Sequence, residues 1–110
     1  MKQEQTALLQ GTLDMLILKS LLAGELHGLG VSRRIQQLSG SNFSVKPGSL
    51  FPALHSMEED GWIRAEWITK DNGRRARIYE LTAAGRKQLA TEESRWQTVT
   101  SAVNRVLRTV

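Results

Sequence analysis

The spacing of apolar positions changes several times along this chain, and each change marks an element. Leu9, Leu13, Leu16, Ile17 and Leu21 recur at helical spacing over about residues 6–23, with enough apolar neighbours to bury a helix on more than one side. Gly24 predicts its end. Gly11 loosens the first turn, which makes Thr12 a candidate N-cap. Leu29, Val31, Ile35 and Leu38 predict a second, shorter amphipathic helix stopped at Gly40. A polar loop, SGSNFSV, leads to a third helix over about residues 47–60. There Leu50, Leu54 and Met57 stand at i, i+4 and i+7 as one inward row, with Ala53 beside them. Ser49 is its candidate N-cap, which puts Pro52 in the first turn, where a missing N–H costs little. The other face carries Pro52, His55, Ser56 and Glu59, all short or polar.

After Gly61 the period drops. Residues 62–68 (WIRAEWI) and 77–81 (RIYEL) read as two strands, rich in aromatic and β-branched residues. KDNGRR joins them as a turn, with Asn72-Gly73 accepting positive φ. Lys70, Arg74, Arg75 and Arg77 crowd the tip of this hairpin. Thr82 is a candidate N-cap for a last helix. Its apolar positions are Leu89, Trp96, Val99, Val103, Val106 and Val110, in steps of 7, 3, 4, 3 and 4. That is the seam of a paired helix, interrupted only by Glu92. The spacing predicts pairing between two chains through Leu89, Trp96, Val99, Val103 and Val106; packing on its own domain is the alternative.

A chain of 110 residues makes one small domain, 40% hydrophobic and 24% charged, as soluble globular proteins are. It has no cysteine, which excludes disulfides and thiolate metal sites and fits a reducing cytoplasm. The start, MKQEQTALLQG, has no cleavable signal pattern, and the most apolar stretch, LDMLILKSLLAG, is too short and too interrupted to cross a bilayer. The expectation is a soluble cytoplasmic protein with no membrane partner.

Charge narrows the picture further. Residues 1–61 hold five Lys/Arg against six Asp/Glu, residues 62–87 seven against three, and residues 88–110 three against two. The net charge of +4 therefore gathers around the hairpin, as a surface for a polyanion requires. Catalysis finds no support. His27 and His55 are the only imidazoles, and no metal-ligand spacing, phosphate-cradling loop or nucleophile triad emerges. GELHGLG has the glycines of a dinucleotide turn but reads as a link between helices, with no strand before it. No catalytic residue, metal or cofactor is expected.

Three helices, a basic hairpin and a last helix are the parts of a winged helix-turn-helix: mainly α, with a small β-hairpin and a C-terminal dimerisation helix. Residues 1–82 would form the DNA-binding unit and residues 83–110 the pairing helix. In that arrangement the third helix enters the major groove, about 12 Å wide, and needs slim outward side chains. The wing needs cations because each neutralised phosphate releases counterions. The expected partner is double-stranded DNA. Arg74, Arg75 and Arg77 are the candidate phosphate or minor-groove contacts, and Lys46 a further phosphate contact. His55 and Ser56 are candidate base-edge readers. Ser49 serves as a cap or a hydrogen-bonding group to DNA, and Pro52 as a structural residue or a thymine-methyl contact. Phe51 stands between core and interface, and Arg33 and Arg34 between backbone contact and solvated face. Trp62 and Trp67 are core or wing-base anchors, and Tyr79 packs the wing on the body. A different class of reading is a winged-helix module that recruits a protein or senses a ligand without specific DNA binding; it predicts only weak, non-specific retention of DNA.

Three stretches, GTLDMLILKSLLAGELHGLGVSRRIQ, GSLFPALHSMEEDGWI and NGRRARIYELTAAGRKQL, resemble the PadR family of bacterial transcriptional regulators, in register over about residues 8–90. A single helix after the wing resembles the short subfamily. The resemblance implies a homodimeric DNA-binding protein, usually a repressor, with the last helix, helped by the first, forming the dimer; two third helices facing successive major grooves then predict a near-palindromic operator. It also implies that a small aromatic effector can release DNA, which makes Trp96, in the seam, a candidate stacking platform between subunits. The family's third-helix motif falls on residues 48–54, where Phe51 replaces a usual tyrosine. Leu29 and Ile78 replace frequent aromatics.

Overall fold

A computed structural model describes residues 10–109, in the order α1 (Gln10–Ser20), β1 (Leu26–His27), α2 (Gly28–Leu38), α3 (Pro47–Glu59), β2 (Ile63–Thr69), β3 (Arg75–Leu81) and α4 (Ala83–Arg108). Leu9 and Val110, and a start of the first helix at residue 6, lie outside the described residues. The three helices and the hairpin pack around one core, and the 26-residue α4, about 39 Å long at 1.5 Å per residue, stretches the molecule to 60 × 37 × 21 Å.

α1 is the centre of that core. Leu13, Met15, Ile17, Leu18 and Leu21 are all buried, so the wide apolar face of the sequence is matched by burial on more than one side. The helix runs through Gly11 and Thr12, which corrects the expected cap at Thr12: Thr12 lies inside the helix. It ends at Ser20, whose buried hydroxyl donates to the Ile17 carbonyl at 2.7 Å, and the chain turns at Gly24. α2 buries Gly28, Val31 and Ile35. Leu29 and Leu38 are corrections to the expected stripe, being exposed, Leu38 by 72%. Gly40, at φ +63°, stops the helix as expected.

α3 buries Leu50, Ala53, Leu54 and Met57, the row read from the sequence. Its N-cap is Lys46 and its first residue Pro47, so Ser49 is not the cap and Pro52 falls in the second turn. Pro52 gives up the amide that would reach Gly48, a loss that water can meet because Gly48 and Pro52 are both exposed.

The sheet has one more strand than the hairpin. Leu26–His27 pairs antiparallel with β3, Leu26 opposite Tyr79 and His27 opposite Ile78, giving the order β1-β3-β2. GELHGLG therefore includes a short strand, which corrects its reading as a plain link between helices. That strand belongs to an antiparallel sheet, not to the parallel βαβ unit a dinucleotide site needs. His27 also caps α2, its Nδ1 accepting from Gly30 N–H at 3.0 Å.

The hairpin turn closes with Lys70 N–H donating to the Arg74 carbonyl at 2.7 Å. Only Gly73, at φ +82°, is left-handed, so Asn72 does not share that role; its side chain accepts from Arg74 N–H at 2.9 Å instead. α4 begins at the expected cap, Thr82, whose Oγ1 accepts from Gly85 N–H at 3.0 Å. No described helix is long and apolar enough to cross a membrane.

Candidate nucleic-acid interface

Position on α3 decides what each outward side chain can reach. With Leu50, Leu54 and Met57 turned into the core, Ser49, Pro52, His55, Ser56 and Glu59 lie along the solvent face. The face is slim at its N-terminal end and acidic at its C-terminal end, where Glu58, Glu59 and Asp60 gather. A phosphate-lined groove favours the first end. Lys46 puts an exposed cation at the N-terminus of α3, and its side chain gives no acceptor to the first amides, so the positive end of the helix dipole stays uncompensated. Ser32 fixes this corner: its hydroxyl donates to the Val45 carbonyl at 2.6 Å, tying α2 to the residue before Lys46. Sequence reasoning passes over Ser32, because nothing in its spacing announces a partner thirteen residues away.

Phe51 is 41% exposed, and its ring lies over Gly28, where any Cβ would come within 2.7 Å of it. The residue is thus both packing surface and rim, and Gly28 permits α2 and α3 to approach. On α3, His55 Nε2 stands 3.5 Å from Glu59 Oε2, both well exposed. On α2, Arg33 is exposed and Arg34 half-buried.

The wing holds its cations in three different ways. Lys70 and Arg74 are exposed at the turn. Arg75 stacks on the Trp67 ring, its guanidinium carbon 4.6 Å from the ring centre. Arg77 is not at the tip: it lies in β3 opposite Trp67, 5.4 Å from the same ring, and its Nη2 donates to Glu58 Oε2 of α3 at 2.8 Å. That ion pair holds the base of the wing against the C-terminal end of α3. Trp67 is exposed and organises arginines, whereas Trp62 packs against the core and Tyr79 is buried beneath the sheet. Arg64 is committed elsewhere: Glu80 accepts from it at 2.8 Å, and this hydrogen bond, reinforced by the carboxylate's charge, raises its pKa above the ordinary value.

The expected pairing seam divides in two. Leu89 is 3% exposed and belongs to the protein's own core, which corrects its place in the seam. Trp96, Val99, Val103 and Val106 are exposed, and Leu107 joins them. Where α4 crosses α1, a mostly apolar cleft of about 280 Å³ is lined by Gly11, Thr12, Met15, Glu92, Arg95, Trp96 and Val99. No group of three or more His, Cys, Asp or Glu among the described residues could hold a metal ion.

This architecture has close counterparts. The sequence model of the Transcriptional regulator PadR-like family matches residues 17–91. A Mycobacterium tuberculosis protein, Transcriptional regulator Rv3488, is 42% identical over 71 residues, which cover 64% of this chain and 62% of that protein. The chain thus spans less than two thirds of that relative's length. Among solved structures, a PadR-like transcriptional regulator from Bacillus cereus superposes with a TM-score of 0.78 at 25% identity, covering 92% of this chain and 96% of that one. Bacillus subtilis PadR in complex with operator DNA superposes with a TM-score of 0.65 at 25% identity, over 72% of this chain and 45% of that one.

Proposed function

The chain belongs to the PadR-like family of transcriptional regulators, and from that premise we propose that it is a DNA-binding repressor acting as a homodimer. Residues 1–82 form the DNA-binding unit and residues 83–110 the pairing helix, with the first turns of α4 serving as its anchor. The N-terminal half of α3, with Lys46, Ser49 and Pro52, enters the major groove, and His55 and Ser56 follow on the same face. Arg74 and Arg75 reach the flanking backbone or minor groove. Two chains pair through Trp96, Val99, Val103 and Val106, so that two copies of α3 meet successive major grooves about 34 Å apart. The operator is accordingly near-palindromic. The cleft at Trp96 takes a flat aromatic effector, which releases DNA only if it binds one dimer shape better than the other.

The observation that supports this reading is the Arg77–Glu58 contact at 2.8 Å, which fastens the basic wing to α3 and so keeps the two elements within reach of one duplex. Selection of bound duplexes from a random pool, followed by salt titration of the winner, tests it. The expected result is an inverted repeat whose affinity falls by about 0.9 log units per phosphate contact for each tenfold rise in salt. An asymmetric pool with no enriched half-site, held weakly and alike for every duplex, would favour the protein-recruiting reading.

A further inference from the structure

Arg77 differs from the other wing arginines in what surrounds it. Among the described residues neither Arg74 nor Arg75 has a carboxylate partner, whereas Arg77 holds Glu58 at 2.8 Å, with the two side chains only 34% and 30% exposed. Its guanidinium also lies over Trp67, the residue directly across the ladder. One side chain therefore joins α3 to both strands of the hairpin. The outer hairpin needs such a tie. From Glu66 to Arg75 every residue is exposed, so no core packing fixes its direction, and a two-stranded ribbon standing clear of the core is marginal alone. A phosphate contact is also the wrong use for this arginine. The Glu58 carboxylate offsets its field, and breaking the pair would leave that carboxylate facing the phosphates.

We infer that Arg77 is a positioning residue: by bridging Glu58 and Trp67 it sets the angle between wing and α3, and so the distance between major-groove and flanking contacts within each half-site. This rests on the DNA-binding reading above. Arg74 and Arg75 supply the charge, and Arg77 aims it.

The test uses the full chain with Arg77→Ala, Arg77→Lys and Glu58→Gln, the duplex selected from the random pool, and an unrelated duplex of equal length. Arg77→Ala and Glu58→Gln are expected to lower the preference for the selected duplex about five- to tenfold, the size of a typical local coupling. The slope of affinity against salt should stay unchanged, and Arg77→Lys should keep part of the preference. A slope shallower by about 1.8 in Arg77→Ala, about 0.9 for each of the two arginines in the dimer, or tighter binding to every duplex in Glu58→Gln, would make Arg77 a phosphate contact and overturn the inference. So would an equal loss on both duplexes, which is all that a merely weakened fold produces. Amide exchange over residues 67–75 without DNA separates this inference from the reading beneath it. Both variants should exchange several-fold faster there than the parent chain, with the core amides unmoved; equal rates would sink the positioning role even if operator binding held. If the parent chain shows no preference among duplexes, the DNA reading fails, and the exchange rates alone decide whether Arg77 holds the wing.

Discussion

α3 and the second half of α4 carry apolar rows of almost the same spacing, yet their surroundings are opposite. Leu50, Leu54 and Met57 have no exposed surface at all, while Trp96, Val99 and Val103 are each close to half exposed and Val106 more so. Spacing reports that a helix has an apolar stripe; it does not report what covers the stripe. For α3 the cover is α1, α2 and the sheet. For the end of α4 no described residue covers it. The division falls within α4 itself, since Leu89, two turns from the start, is part of the core. The first row holds the fold, the second is the proposed contact with a second copy, and each can be broken separately.

The largest expected effect is on the α4 row. Val99→Glu with Val103→Glu removes four apolar side chains from the proposed dimer and places four carboxylates there. At about 1–1.5 kcal/mol for each half-exposed valine, pairing should weaken by about 4–6 kcal/mol before repulsion is counted. Light scattering should then give a monomer at micromolar concentration, with the helical circular dichroism of the body retained. A dimer that survives the double change would mean the row is not the interface. The next effect is on the α3 row. Leu54→Ala empties a fully buried site and should cost about 2–5 kcal/mol in urea denaturation, a large part of the ~5–15 kcal/mol available to a domain of this kind. If Leu54→Ala shifted the monomer–dimer equilibrium instead of the unfolding midpoint, the contrast between the two rows would be lost.

What the sequence revealed and what it concealed follow the same line. The order of the helices and the hairpin, the buried row of α3, the cap at Thr82 and the turn of the hairpin were legible because each rests on neighbours close in sequence. The two-residue strand Leu26–His27 was not, because alternation needs more residues than it has and its pairing is dictated by β3, fifty residues away. Leu29 and Leu38 misled because a helix can carry leucines outside the stripe it buries. Leu89 misled because a heptad step cannot tell an intramolecular neighbour from a partner. Among the candidate DNA contacts, the charge run placed three arginines together, but only the fold separates Arg74 and Arg75 from Arg77, whose carboxylate lies nineteen residues back on another element.

The wing supplies a smaller effect. Arg74→Ala with Arg75→Ala should weaken binding to all duplexes alike, about tenfold at moderate salt, with a slope shallower by about 0.9 for each phosphate no longer neutralised. The same duplexes should rank in the same order, since the proposed base readers on α3 are untouched. Unchanged affinity would remove the wing from the interface and leave α3 alone with the DNA. A change in rank order would give the wing a share of base reading.

The smallest predicted effect concerns the joint from which the exposed half of α4 is held out. Thr82 Oγ1 donates to the Gly61 carbonyl at 2.7 Å, with the Trp62 carbonyl at 3.0 Å, and accepts from Gly85 N–H. Its own amide donates to the Trp62 carbonyl at 3.1 Å. One residue thus caps α4 and fastens it to the turn between α3 and β2, while Gly85 leaves room for the Trp62 carbonyl where a Cβ would collide with it. Thr82→Ala should cost about 1 kcal/mol, read as a lower urea midpoint at constant slope, while Thr82→Ser, which keeps the hydroxyl, should recover most of it. Because the joint lies in the covered half of α4, the loss should be the same when protein concentration is varied across the dimerisation range. A loss that grows on dilution would instead link the cap to pairing, and the covered and uncovered halves of α4 would have to be treated as one cooperative unit.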